Sequence, residues 1–373
     1  MTTLETSKRR IDTPGDASTL TFLALRSVQA GREYFVAVLP LKLVPRLLTY
    51  DGADLPAELR AQRVLNAARV PEIARYLTEN PRGYVFSAIT VSVDAHPEFE
   101  PLDAVAGASV GRLVVPLTAK LLVNDGQHRR AAIEAALQQR PELGDETVPV
   151  VFFVDAGLKR AQQMFADLNR YALRPTRSLG ILYDHRDPLA ALAREIASTV
   201  HPFAGYTELE KTSISNRSTK AFTLSSIYQA LETLLGRRKD SLPQTDIDCA
   251  VEYWSQIGEL ILSWGFVDDT TSAFDIRQTH IHTYAVALHA LAVAGAALIA
   301  AYPGDWPERL RVLEELDWSR ANRAQWEGRA LRGAHISKSG VSVPLTANVL
   351  KVKLGLPLTD KERALEEEIR LVA

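Results

Sequence analysis

The 373-residue chain carries one cysteine, Cys249. It has no partner for an internal disulfide, and no cysteine cluster exists to hold zinc, which suits a reducing cytoplasm. The sequence has no Walker A pattern, no dinucleotide-binding glycine fingerprint and no nucleophile elbow. Internal repeats and low-complexity tracts are missing too. Its formal net charge is only −2, so any nucleic-acid surface must be a local basic patch. Residues 1–18, with Lys8, Arg9 and Arg10, lead into no apolar signal-peptide core and read as a mobile tail.

Apolar residues make up 46% of the chain and charged residues 24%, an ordinary globular balance. The length suggests about two domains. The one stretch long and uncharged enough to resemble a membrane span is Thr283–Tyr302. It holds nine alanines and His289, and alanine is a better helix former than membrane anchor. A buried Ala-rich helix is therefore expected, and no membrane association.

Residues 19–190 mix strand and helix signals. Strands are expected at Thr19–Val28, Arg32–Leu39, Val85–Val93, Gly111–Pro116, Lys120–Val123 and Val148–Val154. The fourth and fifth of these are expected to pair as a hairpin across Leu117-Thr118-Ala119. Helical patterns cover Leu43–Leu48, Ala57–Ala68, Pro71–Glu79, Gln127–Gln139 and Leu158–Tyr171. After about Asp187–His201 strand signals fade. Helices are expected at Leu189–Thr199, Leu224–Leu235, Ile247–Trp264, Thr283–Tyr302 and Trp306–Leu316. The division is thus an α+β domain over 19–190 and a helical domain over 191–373.

The densest chemistry lies at Asp125-Gly126-Gln127-His128-Arg129, where a strand runs straight into a helix. A helix start leaves backbone N–H groups unpaired and partially positive. A glycine there lets a ligand approach the backbone, and phosphate is the common occupant. The plainer reading is that Asp125 only caps the helix and Arg129 is solvated. That reading does not explain Gln, His and Arg in succession.

This pentapeptide resembles the signature of the DGQHR proteins of the ParB/sulfiredoxin-like superfamily. Within it, the chain is most similar to the DndB family linked to DNA phosphorothioation. Further resembling blocks are Gln163–Arg170 with Pro175 and Leu182–Asp187, then Lys211–Arg217 with Phe222–Ser225, then Asp317–Asn322 with Trp326–Arg329. The resemblance implies a ParB/sulfiredoxin-like mixed-sheet domain followed by an all-helical one. It implies a cytoplasmic, DNA-binding regulator of a phosphorothioation system, acting at double-stranded promoter or modified-site DNA beside other proteins of that system. Two-fold DNA sites would suggest a homo-oligomer. The alternative it implies is a nucleoside triphosphatase, coupled or not to DNA nicking, in phage defence. ATP or another nucleoside triphosphate with a divalent ion would then be the cofactor. Amides near Gly126 and the Arg129 side chain would hold phosphates, with Asn169 and Arg170 facing the same ligand. Asp125 would bind the metal or orient water, Gln127 would place the attacking water, and His128 would serve as acid or base. A third reading is a partner-binding scaffold with a vestigial phosphate pocket.

Two stretches are locally basic. Lys159–Arg177 sets Lys159, Arg160, Arg170, Arg174 and Arg177 against Asp167 alone. Trp318–Lys338 sets Arg320, Arg323, Arg329, Arg332 and Lys338 against Glu327, with Trp318 and Trp326 interleaved. Such patches suit phosphate contact and base stacking. Solvated helix faces over core tryptophans would give the same pattern. Arg130 on the motif helix, and Arg217 and Lys220 in the polar loop Ser213–Lys220, complete the candidate DNA contacts. His280 and His282, two apart, are read as structural rather than as metal ligands.

Overall fold

The computed structural model describes residues 18–50, 65–102, 109–154, 157–170, 174–236, 241–261, 264, 272–333, 335–337 and 340–372. The 1–18 tail and the expected helix at 57–68 fall largely outside these residues. Two compact units divide between Leu173 and Arg174, ahead of residue 190. The boundary falls ahead of helix α5, Arg177–Tyr183, whose Ser178 donates to the Lys211 carbonyl and whose Ile181 carbonyl accepts from Arg194, both in the second unit.

The first unit is built on an eight-stranded mixed sheet: β1 Thr19–Gln29, β2 Arg32–Pro40, β3 Leu48–Thr49, β4 Ile89–Val93, β5 Glu98–Pro101, β6 Val110–Pro116, β7 Leu121–Asp125 and β8 Thr147–Val154. The order is β3-β7-β4-β8-β2-β1-β6-β5. The pairs β3–β7 and β4–β8 are parallel and the remaining neighbours antiparallel. Side chains alternate between the two faces of β2, so that Phe35, Ala37 and Leu39 are buried while Val38 faces out. β4 is buried along its whole length, as expected of a strand with a parallel neighbour and both faces covered.

The expected hairpin of β6 with β7 does not form. β6 pairs with β1 and β5, and β7 with β3 and β4. The five steps from Pro116 to Leu121 reach at most about 18 Å. Five strand spacings of a flat sheet would need about 24 Å. The sheet is therefore rolled, and the short connection closes the roll. Leu117 N–H donates to the Ser18 carbonyl, and the Lys120 carbonyl accepts from Asp94 N–H.

Helices α1 Val44–Leu47, α2 Val70–Glu79, α3 Gln127–Gln139 and α4 Leu158–Arg170 complete the unit. α3 packs on α1 and α2, and α4 packs on β7. The small buried residues of α3, Ala131, Ala132 and Ala136, let it lie close to its neighbours.

The second unit is helical: α5 Arg177–Tyr183, α6 Pro188–Thr199, α7 Leu224–Leu235, α8 Gln244–Leu260, α9 Ala273–Thr279, α10 Ala285–Ala301, α11 Trp306–Leu310, α12 Arg323–Trp326, α13 Ser342–Lys353 and α14 Asp360–Val372. Thr176 and Ser178 at the start of α5 donate to the carbonyls of Glu210 and Lys211. α10, the Ala-rich helix, packs on α7 and α13 and is mostly buried. No described helix is long and apolar enough to cross a membrane. Tyr253, Trp254, Trp264, Phe203 and Phe222 form an aromatic core. Trp318 and Trp326 are buried and stacked on each other at 5.5 Å. They belong to the core, and their faces are not offered to bases.

Candidate functional site

β7 delivers the motif. Leu121 and Val123 point into the first unit's core, while Asn124, also buried, donates to Ser92 Oγ at 2.6 Å and to Met164 Sδ of α4 at 3.1 Å. The block Gln163–Arg170 thus meets the motif strand through Met164. Among the described residues the Oδ1 of Asn124 is buried without a hydrogen-bond partner. Gly126 then adopts φ +111°, and α3 starts at the next residue with no side chain capping it. Asp125 is therefore not the cap. A Cβ on Gly126 would stand 3.2 Å from Ile89 Cγ1 and 3.3 Å from Arg129 Nε and Nη2. The turn is restricted to glycine both by its backbone angle and by these neighbours.

Arg129 folds back over this turn with its side chain only 16% exposed. Nη2 donates to Asp125 at 2.7 Å. Nη1 donates to the carbonyls of Ser87 at 2.7 Å and Ala88 at 3.1 Å, and to Ser87 Oγ. The guanidinium thereby fastens the approach to β4 onto the turn. Nε has no acceptor among the described residues and borders Gly126. The free, ligand-facing Arg129 expected from sequence is instead mostly occupied, with one edge left at the turn.

The remaining motif residues are packed. Gln127 and His128 are buried, and His128 Nε2 accepts from Asn66 N–H at 3.0 Å. That bond places the proton of the neutral ring on Nδ1. Asp125 keeps the most exposed charged side chain of the motif, 46%. Among the described residues no group of three acidic, histidine or cysteine side chains converges to hold a metal; the partner of Asp125 is Arg129.

The DNA-contact candidates separate by burial. Arg130 donates to the carbonyls of Leu48 and Pro45, pairs with Glu134 and lies over Tyr50. It ties α3 to the α1–β3 segment and is not a free surface cation. Arg329 makes two bonds of 2.6 Å to Glu366 and one to the Leu345 carbonyl, so it too is structural. Arg320 donates to the carbonyls of Arg277 and Gln278. Arg177 lies 3.8 Å from Glu232 and over Tyr228. Lys220 Nζ donates to the Gly205 carbonyl at 2.7 Å. Arg323, 3.8 Å from Glu327, is exposed, as are Arg170, Arg174 and Arg217. Asn169 donates to Phe165 within its own helix. The Lys159–Arg177 patch is split between the two units, with Arg174 and Arg177 in the second. Arg277, buried on α9, escaped the sequence reading because nothing in its neighbourhood marks it.

A family model described as DndB, DNA-sulfur modification-associated, matches residues 22–357. The chain belongs to the DndB family. Involvement in DNA sulfur modification follows from that membership. The match spans the mixed sheet, the motif turn and the helical unit through α13, so DndB is an attribute of the whole two-unit chain. No curated protein and no solved structure matches it.

Proposed function

We propose that this chain is a DNA-binding regulator of a DNA phosphorothioation system, with a phosphate site at the start of α3. The observation that carries the reading is the left-handed Gly126 turn at the head of α3, with Arg129 Nε beside it. A helix N-terminus and a guanidinium edge together favour an oxyanion. Exposed Arg170, Arg174, Arg217 and Arg323 supply phosphate contacts that hold duplex DNA without reading its sequence. A nucleoside triphosphate at α3 would let the regulator respond to cellular state, and other proteins of the modification system are its natural partners.

The half-exposed Asp125 carboxylate beside the turn is what a triphosphatase would use, and it keeps that second reading in the test. Binding to duplex DNA from upstream of the modification genes, binding of ATP with magnesium, and phosphate release are measured on the wild type, Gly126→Ala and Asp125→Ala. The regulator reading expects wild-type DNA binding, and loss of nucleotide binding in Gly126→Ala while DNA binding persists. Phosphate release abolished by Asp125→Ala, with DNA binding intact, supports the triphosphatase. A wild type that binds neither DNA nor nucleotide sinks both.

A further inference from the structure

Arg277 is 6% exposed. Its Nη1 donates to the Lys220 carbonyl at 2.5 Å, and its Nη2 to those of Ser215, Asn216 and Ser218 at 3.0–3.1 Å. Among the described residues no carboxylate pairs with it, and burial pulls its pKa down. The guanidinium stays in place because four carbonyl dipoles replace its water. Its own carbonyl accepts from Tyr284 Oη and from Arg320 Nη1, which fixes the end of α9. One buried cation thus gathers the carbonyls of a whole loop.

That gathering dictates where the loop's amides point. In a trans peptide the C=O of one residue and the N–H of the next face opposite ways. With the carbonyls of Ser215, Asn216 and Ser218 turned inward, the N–H groups of Asn216, Arg217 and Thr219 turn outward. These three residues are exposed, and their amides have no acceptor among the described residues. Outward-facing amides of a turn favour an anion. The exposed Arg217 side chain adds a guanidinium, and Arg277 adds positive charge from behind. Glu208, in the preceding loop, turns its carboxylate to the amides of Glu210 and Lys211.

We propose that the loop Ser213–Lys220 is a cradle for one backbone phosphate of duplex DNA. The amides of Asn216, Arg217 and Thr219 and the Arg217 guanidinium are its donors, and Arg277 is its positioning residue. This rests on the DNA-binding reading above and names a contact site within it. A shallow, exposed loop suits a phosphate delivered by a polymer. A free nucleotide needs a pocket that buries most of its surface.

The test uses the full chain. Affinity for a duplex is measured between about 50 and 200 mM salt for the wild type, Arg217→Gln and Arg277→Lys. Hydrogen exchange of residues 211–221 is followed with duplex, with ATP and with inorganic phosphate. Arg217→Gln is expected to weaken binding and to lower the log–log salt slope by about 0.9, one phosphate contact. Arg277→Lys keeps the charge and loses the planar fork, so binding weakens severalfold while the protein remains folded. Duplex, and neither ATP nor phosphate, is expected to slow exchange in the loop. A wild type that binds DNA while Arg217→Gln leaves affinity, slope and loop protection unchanged overturns the cradle and leaves the DNA reading standing. Equal protection by ATP or phosphate overturns it in favour of a small-anion site. A wild type that binds no duplex overturns both.

Discussion

At the scale of single residues, the arginines of this chain divide into those that hold the fold and those that face water. Sequence context does not separate them. Arg323 and Arg329 lie in the same basic stretch, yet Arg329 and Glu366 are 17% and 15% exposed and doubly bonded, while Arg323 is 63% exposed. Asn348 adds a further bond to Glu366. Arg329→Met strips that buried carboxylate of the guanidinium that neutralises it, and is expected to cost about 3–5 kcal/mol. Arg323→Met should stay within about 0.5 kcal/mol of wild type. Urea denaturation of the two variants checks the pair. Glu362 lies one turn before Glu366 on α14. Burial works to raise its pKa, but bonds from Lys351 and Thr359 outweigh burial and hold it below the ordinary carboxylate range. A folded pKa below the unfolded one adds stability above the unfolded value of about 4.3. That stability is lost as pH falls through the folded value. Below about pH 4.3 the wild type should therefore lose stability more steeply than Glu362→Gln, as read from urea midpoints across that range.

At the scale of elements, two glycines fix close approaches for different reasons. Gly126 is needed for its left-handed angle and its contact with Ile89. Gly126→Ala is expected to cost about 1–3 kcal/mol, seen as a lower denaturation midpoint. Gly295 of α10 lies against Tyr253 of α8, where a Cβ would fall 2.4 Å from the ring. Tyr253 cannot retreat easily, because its hydroxyl donates to the Leu291 carbonyl at 2.6 Å. Gly295→Ala should therefore destabilise by about 1–3 kcal/mol, with the near-ultraviolet signal of the aromatic core altered. The bounds of α3 and α7 were legible because a period of 3.6 is a local property. β5, α5, α9 and α12 were not anticipated because they are short, and α13 because its apolar periodicity is weak; α14, though amphipathic, was missed because charged residues dominate it. The β6–β7 hairpin failed because sequence adjacency is a poor guide where a rolled sheet brings its distant strands round. The motif's position was readable. Its packing was not, since Arg129 spends its donors on Ser87 and Ala88, about forty residues upstream.

At the scale of the whole molecule, the two units have separate cores. The buried apolar cluster of the first ends at Phe152, and that of the second begins at Ile181, with no residue shared. The large second core holds Trp254, Trp264 and Trp326 fully buried, so it contains its own source of cooperative stability. Residues 174–373 expressed alone are therefore expected to unfold in one sharp thermal transition with native tryptophan emission. On the reading proposed here, Arg174, Arg217 and Arg323 all lie in that fragment, and so does the Arg277-organised loop. The fragment should then keep salt-sensitive duplex binding and lose any response to nucleotide, because the Gly126 turn is left behind. A fragment that folds but does not bind duplex would place the DNA contacts on the mixed-sheet unit, around exposed Arg170. A fragment that fails to fold would show that the second core is stabilised by the first, and that the two clusters, though disjoint, unfold together.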